Sequence, residues 1–387
     1  MHTSPATRCR DTRWVLALTM LLAGTAQAQY SWAELDMHAP SVEPTNPSLR
    51  PCNLGIPTTM SASGDVMGTA DVRTGTMFDW NAFKVVAAYK RAVLKWPGTA
   101  TGLIKPSVVS TTVMPLYMSN QGSWAGYIPV KTTFPKCQGV VNYLKDTPAV
   151  QIGTKVTKLT YGINGINFEV LGINNKHWVL GSSLDSVGNR KGLVWKAGSF
   201  TVLDNGGAQL VFPVAINDNG DVAGHVVPVN NPEQWVEHAA LWVSNQLVWR
   251  GPANSRALSI NANGDVLWTR LSDTNGWQTF LRAGGIDMPV PMWGTLSPRR
   301  TVVGVADTAL GAGKLAVWAN GSTTALYDDM RRQGVNLPCD PLNVAICESS
   351  TLVAQVEPEA RQLVVSRTGV STPSISDKRY YRIKGLP

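Results

Sequence analysis

Residues 216–224, INDNGDVAG, place two asparagines and two aspartates around Gly220, and such side chains are common calcium ligands and acid–base groups. A calcium loop of the EF-hand type also needs a bidentate glutamate several residues after the glycine, whereas the next glutamate here is Glu233. Asparagine and aspartate also hydrogen-bond to their own backbone and tolerate positive φ, which makes them frequent turn residues. The segment therefore allows two hypotheses: a metal or catalytic site, or a tight bend between two strands.

Six further segments resemble this one, and each has an apolar residue, four or five turn-forming residues and a second apolar stretch. The seven copies are residues 60–68, 118–126, 173–181, 216–224, 260–268, 296–304 and 346–354. The position of Asp218 is occupied in the other copies by Ala62, Asn120, Asn175, Ala262, Pro298 and Glu348. Because the negative charge is mostly absent while turn-forming residues persist, the repeat indicates a tight bend, and we expect no metal and no cofactor.

A second element follows each copy: a β-rich run, a short turn such as Asn-Gly or Gly-Gly, and another apolar run, which is typical of a hairpin. In the fourth copy the predicted strands are residues 212–216, 221–227, 238–243 and 247–249. Seven such units predict an all-β fold, a β-propeller of seven four-stranded blades. Six blades or an open β-solenoid are the alternatives, and either residues 29–50 or residues 371–387 can supply a strand that closes the ring.

The segments AINDNGDVAG and HAALWVSNQLVW resemble the HAF repeat, a family of bacterial repeats expected outside the cell. The family pattern is Ile-Asn-Asp-x-Gly-x-Val-x-Gly followed by an Ala-Phe/Leu-Trp segment, and the resemblance extends from residue 60 to about residue 369. The chain departs from the pattern where the family has His-Ala-Phe, since His238-Ala239-Ala240 occurs once. The resemblance implies an exported, propeller-like protein and no established activity.

The first residues have the pattern of a secretory signal peptide, with three arginines, an apolar run at 14–23 and a small-residue cleavage site after Ala28. We therefore expect a secreted or periplasmic monomer without a transmembrane segment. An even number of remaining cysteines is typical of disulfides in an oxidising compartment, and we favour the local pairs Cys52–Cys137 and Cys339–Cys347. The predicted organisation is a signal peptide (1–28), an N-terminal extension (29–53), the propeller (54–370) and a basic tail (371–387).

The net charge of +8 is spread along the chain without a long Lys/Arg cluster, so nucleic acid is not an expected partner. The histidines lack metal-ligand spacing, and no GxSxG nucleophile motif occurs. This composition favours a binding or scaffold module for a glycan or a cell-envelope protein, without catalysis. The alternative is a polysaccharide-acting hydrolase or lyase with His225, His238 and Asp221 as its first candidates. Three or more carboxylate, histidine or arginine side chains converging at the channel mouth would favour that alternative.

Tryptophan recurs in the third strand of the repeat, where we expect it to pack between blades. The recurring residues are Trp96, Trp195, Trp242 and Trp318. Three others, Trp80, Trp235 and Trp277, lie in variable stretches between the second and third strands. In a four-stranded meander these connections share one face of the ring with the links between blades, and binding residues concentrate where loops vary on a rigid scaffold. We therefore predict that Trp80, Trp235 and Trp277 bind the ligand by stacking on a sugar or a partner surface.

Overall fold

The computed structural model describes residues 31–35, 56–61, 63–79, 83–100, 102–129, 133–134, 146–161, 168–228, 235–306, 314–335, 351–356, 362–367, 379–384 and 386. Within these residues the chain is almost entirely β structure, with one short helix. Six sheets each contain four antiparallel strands that follow one another along the chain. In each of the first two sheets, one short strand interrupts this order because it pairs elsewhere. We call these sheets blades 1 to 6.

The first three blades take their strands in chain order. Blade 1 consists of β2 (Ile56–Met60), β3 (Val66–Asp79), β4 (Lys84–Trp96) and β6 (Ser107–Val109), with β9 (Thr133–Phe134) paired to β4. Blade 2 consists of β7 (Met114–Met118), β8 (Trp124–Ile128), β10 (Thr147–Ile152) and β11 (Lys155–Lys158). Blade 3 consists of β12 (Glu169–Ile173), β13 (Val179–Leu184), β14 (Arg190–Lys196) and β15 (Ser199–Val202).

The next three blades repeat the arrangement. Blade 4 consists of β16 (Leu210–Ile216), β17 (Val222–Val227), β18 (His238–Val243) and β19 (Gln246–Ala253). Blade 5 consists of β20 (Ser255–Ile260), β21 (Val266–Ser272), β22 (Gly276–Ala283) and β23 (Ile286–Val290). Blade 6 consists of β24 (Met292–Leu296), β25 (Val302–Ala306), β26 (Leu315–Ala319) and β27 (Ser322–Ala325), and helix α1 (Leu326–Arg332) follows it.

A closing sheet joins strands from distant parts of the chain. Its order is β28 (Thr351–Val356), β29 (Gln362–Arg367), β30 (Arg379–Lys384), β1 (Ser31–Leu35) and β5 (Gly102–Ile104). Strand β1 pairs antiparallel with β30 and parallel with β5. The sequence left open whether residues 29–50 or residues 371–387 supply a closing strand. Both segments do, since the first contains β1 and the second contains β30.

The first strands of neighbouring sheets contact one another around a central axis. Strand β2 contacts β7 and β28, and the contacts continue from β7 through β12, β16 and β20 to β24. Strand β28 also contacts β25 and β26 of blade 6, so the closing sheet lies between blades 6 and 1. The predicted β-propeller is confirmed. The described residues form six four-stranded blades, the count that the sequence analysis gave as an alternative to seven, and the closing sheet completes the ring. Among the described residues, no helix has the length and hydropathy needed to cross a membrane.

The core of the propeller lies between blades, as the recurring tryptophans predicted. Trp96, Trp195, Trp242 and Trp318 are all buried. Between blades 3 and 4, for example, Leu180 and Val194 pack with Val222 and Trp242. Because both faces of each sheet are covered by neighbouring sheets, the strands are apolar on both faces. Burial of these side chains is the main favourable contribution to the free energy of folding.

The repeated segment is a tight bend, as predicted. In blade 4 the backbone N–H of Asn217 donates to the carbonyl of Asp221 at 3.0 Å, and the N–H of Gly220 donates back to Asn217 at 3.1 Å. Gly220 has a φ of 88°, and His177 and Arg300, which occupy the same position in blades 3 and 6, also have positive φ. The bend therefore keeps its backbone geometry whether or not glycine is present, at some cost in strain for the larger residues.

Blade 1 differs from the others in its second and third strands. Residues 71–79 and 84–89 belong to the variable stretch around Trp80 in the sequence. They extend β3 and β4, which pair as a hairpin from Val66 and Trp96 to Asp79 and Lys84. Strand β2 covers only the first part of this hairpin. The hairpin therefore projects beyond the blade on the face where second and third strands are connected.

Candidate functional site

Five charged or titratable side chains converge on one face of the ring, across blades 3, 4 and 5, and they meet the condition that the sequence analysis set for the catalytic alternative. We call this the loop-rich face, since it carries the links between blades and the connections between second and third strands. The five residues, the charged cluster, are Glu169, Arg190, His225, Glu237 and Arg256. The cluster lies where first and third strands begin: Glu169 begins β12, Arg190 begins β14, and Glu237 immediately precedes β18.

Glu237 and Arg256 form an ion pair that joins blade 4 to blade 5. The Arg256 guanidinium donates through Nε to Oε2 of Glu237 and through Nη2 to Oε1, the latter at 2.9 Å. Nε1 of Trp235 donates to the same Oε1 at 3.0 Å. Burial alone would raise the pKa of Glu237, but the hydrogen bonds from Arg256 and Trp235 lower it below its ordinary value. Glu237 is therefore an ionised carboxylate at neutral pH.

His225 lies beside this ion pair, and its side chain is mostly buried. Its ring stacks on Phe212 with centroids 4.8 Å apart and planes 11° apart, and its Nε2 is 3.9 Å from Oε1 of Glu237. Its Nδ1 is buried without a hydrogen-bond partner among the described residues. Burial lowers the pKa of His225 to about 4, and the positive charges of Arg256 and Arg190 act in the same direction, against Glu237. The imidazole is therefore neutral at pH 7.

Glu169 and Arg190 form a second ion pair within blade 3. Nη2 of Arg190 lies 2.5 Å from Oε2 of Glu169, which also accepts a hydrogen bond from the Ser182 hydroxyl at 3.2 Å. The Arg190 guanidinium lies 5.0 Å from the centre of the Phe212 ring in blade 4. Both ion pairs therefore combine an arginine, a glutamate and an aromatic ring, and Phe212 connects the second pair to His225.

Two of the three predicted binding tryptophans lie at this cluster. Trp235 is 57% exposed, and its ring centre is 6.0 Å from that of Phe212. Trp277, near the start of β22, is partly buried with the Arg256 guanidinium 5.7 Å from its ring centre. Trp80 lies outside the described residues. The four predicted disulfide cysteines, Cys52, Cys137, Cys339 and Cys347, also lie outside them.

The grouping of His225, His238 and Asp221 that the sequence suggested is not formed. Nδ1 of His238 lies 2.9 Å from the carbonyl oxygen of Gly251 on the neighbouring strand β19. Asp221 lies at the opposite end of β17, where its Oδ2 accepts a hydrogen bond from Asn217 at 3.0 Å. Since a strand rises about 3.3 Å per residue, four residues separate Asp221 from His225 by roughly 13 Å. His225 contacts Glu237 instead.

Sequence reasoning missed both glutamates and both arginines of the cluster. Glu237 ends the variable stretch before the third strand of blade 4, and Arg256 is the second residue of a first strand. Their common signal is position at a strand end on the loop-rich face. Among the described residues, no group of three or more histidine, cysteine, aspartate or glutamate side chains is placed to hold a metal ion.

No family model matches the chain, and no curated protein matches it, so the resemblance to HAF repeats stays a prediction. Solved structures of similar shape include the β-propeller domain of the Trilobed protease from Pyrococcus furiosus, with an open velcro topology. The TM-score is 0.52 at 9% identity, over 86% of this chain and 94% of that chain. The acylaminoacyl peptidase of Pyrococcus horikoshii has a TM-score of 0.48 at 10% identity, over 85% of this chain and 52% of that chain. At such low identity the first similarity shows the fold alone: the chain has a β-propeller fold.

Proposed function

We propose that this chain is an exported β-propeller module that binds carbohydrate on its loop-rich face without catalysing a reaction. The observation that supports the proposal is Trp235, whose side chain is exposed although its Nε1 is held by Glu237. The C–H groups of a sugar ring make apolar contact with an aromatic face, and a fixed indole offers that contact at little additional cost in conformational entropy.

The polar groups around Trp235 are of the kind that bind sugar hydroxyls. Glu237 offers carboxylate acceptors and Arg256 offers guanidinium donors, and their ion pair fixes both groups. The Arg256 guanidinium also lies 5.7 Å from the centre of the Trp277 ring. A carbohydrate fits this surface better than a protein partner does, because aromatic rings and paired charges alternate and do not form a continuous apolar centre.

Hydrolysis of a glycosidic bond is poorly supported by the charged cluster. A hydrolase needs a carboxylic acid that stays protonated near neutral pH and donates its proton to the leaving group. The pKa of Glu237 is shifted in the opposite direction, because hydrogen bonds from Arg256 and Trp235 outweigh burial. The carboxylate of Glu237 is thus suited to accept hydrogen bonds from a ligand and unsuited to protonate one.

A polysaccharide lyase is the second candidate function, and His225 is the observation that favours it. Elimination from a uronate needs an unprotonated base and a cation beside the substrate carboxylate. His225 is neutral at pH 7, and Arg190 and Arg256 lie close enough for their charges to lower its pKa. Both arginines are paired with glutamates, so a uronate would have to displace one of those carboxylates.

Electrophoresis in native gels that contain xylan, hydroxyethyl cellulose, polygalacturonate or alginate tests the proposal. We expect at least one polysaccharide to retard the wild-type protein and Trp235→Ala to migrate without retardation. Ile286→Ala is the matched control, since it removes an exposed apolar side chain at the turn between β22 and β23, on the opposite face. Control and wild type should be retarded equally.

Two other outcomes would overturn this assignment. If none of the four polysaccharides retards the wild-type protein while a cell-envelope protein is captured through Trp235, the ligand is a protein. If polygalacturonate or alginate is depolymerised with the ultraviolet absorbance of an unsaturated product, and His225→Gln abolishes that product, the chain is a lyase.

A further inference from the structure

The first strands of the six blades can be aligned by their pairing with the second strands. In each blade, one residue of the first strand pairs with the residue that lies eight positions after the first residue of the tight bend, such as Asn217 in blade 4. The pairs are Ile56–Thr69, Met114–Tyr127, Glu169–Ser182, Phe212–His225, Arg256–Thr269 and Trp293–Val305. We call the first member of each pair the mouth position. Since first strands surround the axis and begin at the loop-rich face, the mouth positions form a ring around the opening on that face.

The chemistry of this ring is uneven. Blades 1 and 2 have Ile56 and Met114 at the mouth position, whereas blades 3 to 6 have a carboxylate, a phenyl ring, a guanidinium and an indole. The charged cluster already accounts for Glu169, Phe212 and Arg256. Trp293 of blade 6 is the remaining member, and it is not part of the charged cluster.

Trp293 is 46% exposed on an innermost strand, where most large apolar side chains are buried. Its equivalence to Arg256 is hidden in the sequence, because it precedes the bend by four residues and Arg256 precedes it by five. The difference arises from a β-bulge in the first strands of blades 1 to 5, which β24 of blade 6 lacks. The missing bulge places an exposed indole level with the guanidinium of Arg256.

We propose that the ligand of the loop-rich face is an oligosaccharide that extends across blades 4 to 6, stacking on Trp235 and Trp293 with Arg256 between them. This proposal rests on the carbohydrate-binding function proposed above. Trp235 is held by Glu237 of blade 4, Arg256 belongs to blade 5, and Trp293 belongs to blade 6. Packed sheets lie about 10 Å apart, so two indoles separated by a whole blade are too far apart for one sugar ring to contact both.

Chain length follows from this spacing. A short sugar contacts one indole only, whereas a longer one gains the second contact at the high effective concentration that covalent linkage provides. Affinity should therefore rise steeply once the oligosaccharide is long enough to reach both side chains. If only one of the two indoles contacts the ligand, the affinity should stop rising beyond one or two sugar units.

Calorimetric titration with cello-oligosaccharides and oligogalacturonides of one, two, four and six units tests the proposal with a neutral and an acidic series. In one series we expect the dissociation constant of the hexamer to be roughly tenfold or more below that of the dimer. Trp293→Ala should raise the hexamer constant about tenfold and leave the dimer constant within about twofold. Trp293→Phe should keep most of the affinity, because it retains an aromatic face.

Thermal unfolding of each variant separates loss of binding from loss of fold, and Ile286→Ala again serves as the control. Equal affinity for dimer and hexamer, or unchanged hexamer affinity in a folded Trp293→Ala protein, would overturn the extended site while leaving carbohydrate binding intact. Absence of binding to both series and to all four polysaccharides by the wild-type protein would overturn both proposals.

Discussion

Nε2 of His225 lies 3.9 Å from Oε1 of Glu237, which is too long for a hydrogen bond and short enough for strong electrostatic coupling. The carboxylate is committed to Arg256 and Trp235, so the imidazole is left neutral and buried beside it. Two titratable groups in contact are thus held in the neutral and the ionised form, respectively, at neutral pH. This arrangement makes the stability of blade 4 depend on pH.

We expect the free energy of unfolding to fall as the pH decreases from about 6.5 to about 4. The folded pKa of His225 is about 4, below the unfolded value, so the unfolded chain binds an extra proton in this window. Glu237 acts in the same direction, because its lowered pKa gives a stabilisation that is lost as the pH falls through the folded value.

Urea unfolding at about pH 7 and about pH 5 measures this effect, and His225→Gln should lose about 1–2 kcal/mol less stability between the two than the wild type. Identical losses in the two proteins would show that His225 is not the group that titrates.

Gly220 and Gly122 occupy the same bend position in blades 4 and 2. Substituting each of them distinguishes the cost of backbone strain from the cost of a steric overlap. Both have positive φ, 88° and 77°, but a Cβ on Gly220 would overlap the Trp178 ring whereas a Cβ on Gly122 would meet open space. Gly122→Ala should therefore cost about 1–2 kcal/mol from backbone strain alone. Gly220→Ala should cost about 1–3 kcal/mol more, because the interior is overpacked. Equal costs in urea unfolding would contradict the Trp178 contact.

The sequence predicted the fold because its signals are local and repeated. The bend around Gly220 and the buried Trp242 are each determined by a few neighbouring residues and recur in other blades. Strands predicted for the fourth copy agree with β16, β17 and β18, while β19 begins one residue earlier and ends four residues later than expected. The face that carries Trp235 and Trp277 also followed from meander topology.

The contacts between charged residues at the candidate site could not be predicted from the sequence, and the reason is physical. Glu237 and Arg256 belong to different blades, and their contact depends on how two sheets pack, which no local pattern encodes. Trp293 was missed because the lack of one bulge in β24 shifts its register against the other copies. His238, a candidate only under the catalytic alternative, does not join the charged cluster, because its Nδ1 lies against the carbonyl oxygen of Gly251.

Asn217 stabilises its own bend and also connects two blades. Its Oδ1 accepts from the N–H groups of Asn219 and Asp221 at 3.0 and 2.9 Å, and its Nδ2 donates to the carbonyl of Asn261 at 3.1 Å. Blade 6 has Ser297 at this position, whose hydroxyl accepts the equivalent N–H bonds at 3.2 and 3.0 Å. Asn217→Ser should therefore keep the bend and lose this hydrogen bond to blade 5, while Asn219 still donates to the carbonyl of Ala262.

We expect Asn217→Ser to cost about 1 kcal/mol and Asn217→Ala about 2–3 kcal/mol, because alanine also leaves buried N–H groups without their acceptor. Thermal unfolding of the two variants checks the order. A serine variant as unstable as the alanine variant would show that the link between blades dominates.

The hairpin of blade 1 depends on a buried ion pair, Arg91 with Asp71, which face each other on β4 and β3 with Nε 3.0 Å from Oδ1. Arg91→Met removes the guanidinium and leaves a buried carboxylate, so we expect a cost of about 3–5 kcal/mol in urea unfolding. Arg332→Ala is the control, since Arg332 and its partner Asp329 on α1 are far more exposed and their pair should contribute less than about 1 kcal/mol.

The double variant Asp71→Leu/Arg91→Met distinguishes charge burial from loss of packing. Apolar side chains of similar size remove both buried charges, so the double variant should regain most of the stability that Arg91→Met loses. If the double variant is as unstable as the single one, the guanidinium acts through its packing and its further contacts, and the ion pair itself contributes little. If Arg91→Met costs no more than Arg332→Ala, this carboxylate is solvated when the arginine is removed, and the base of the hairpin opens without disturbing the blade.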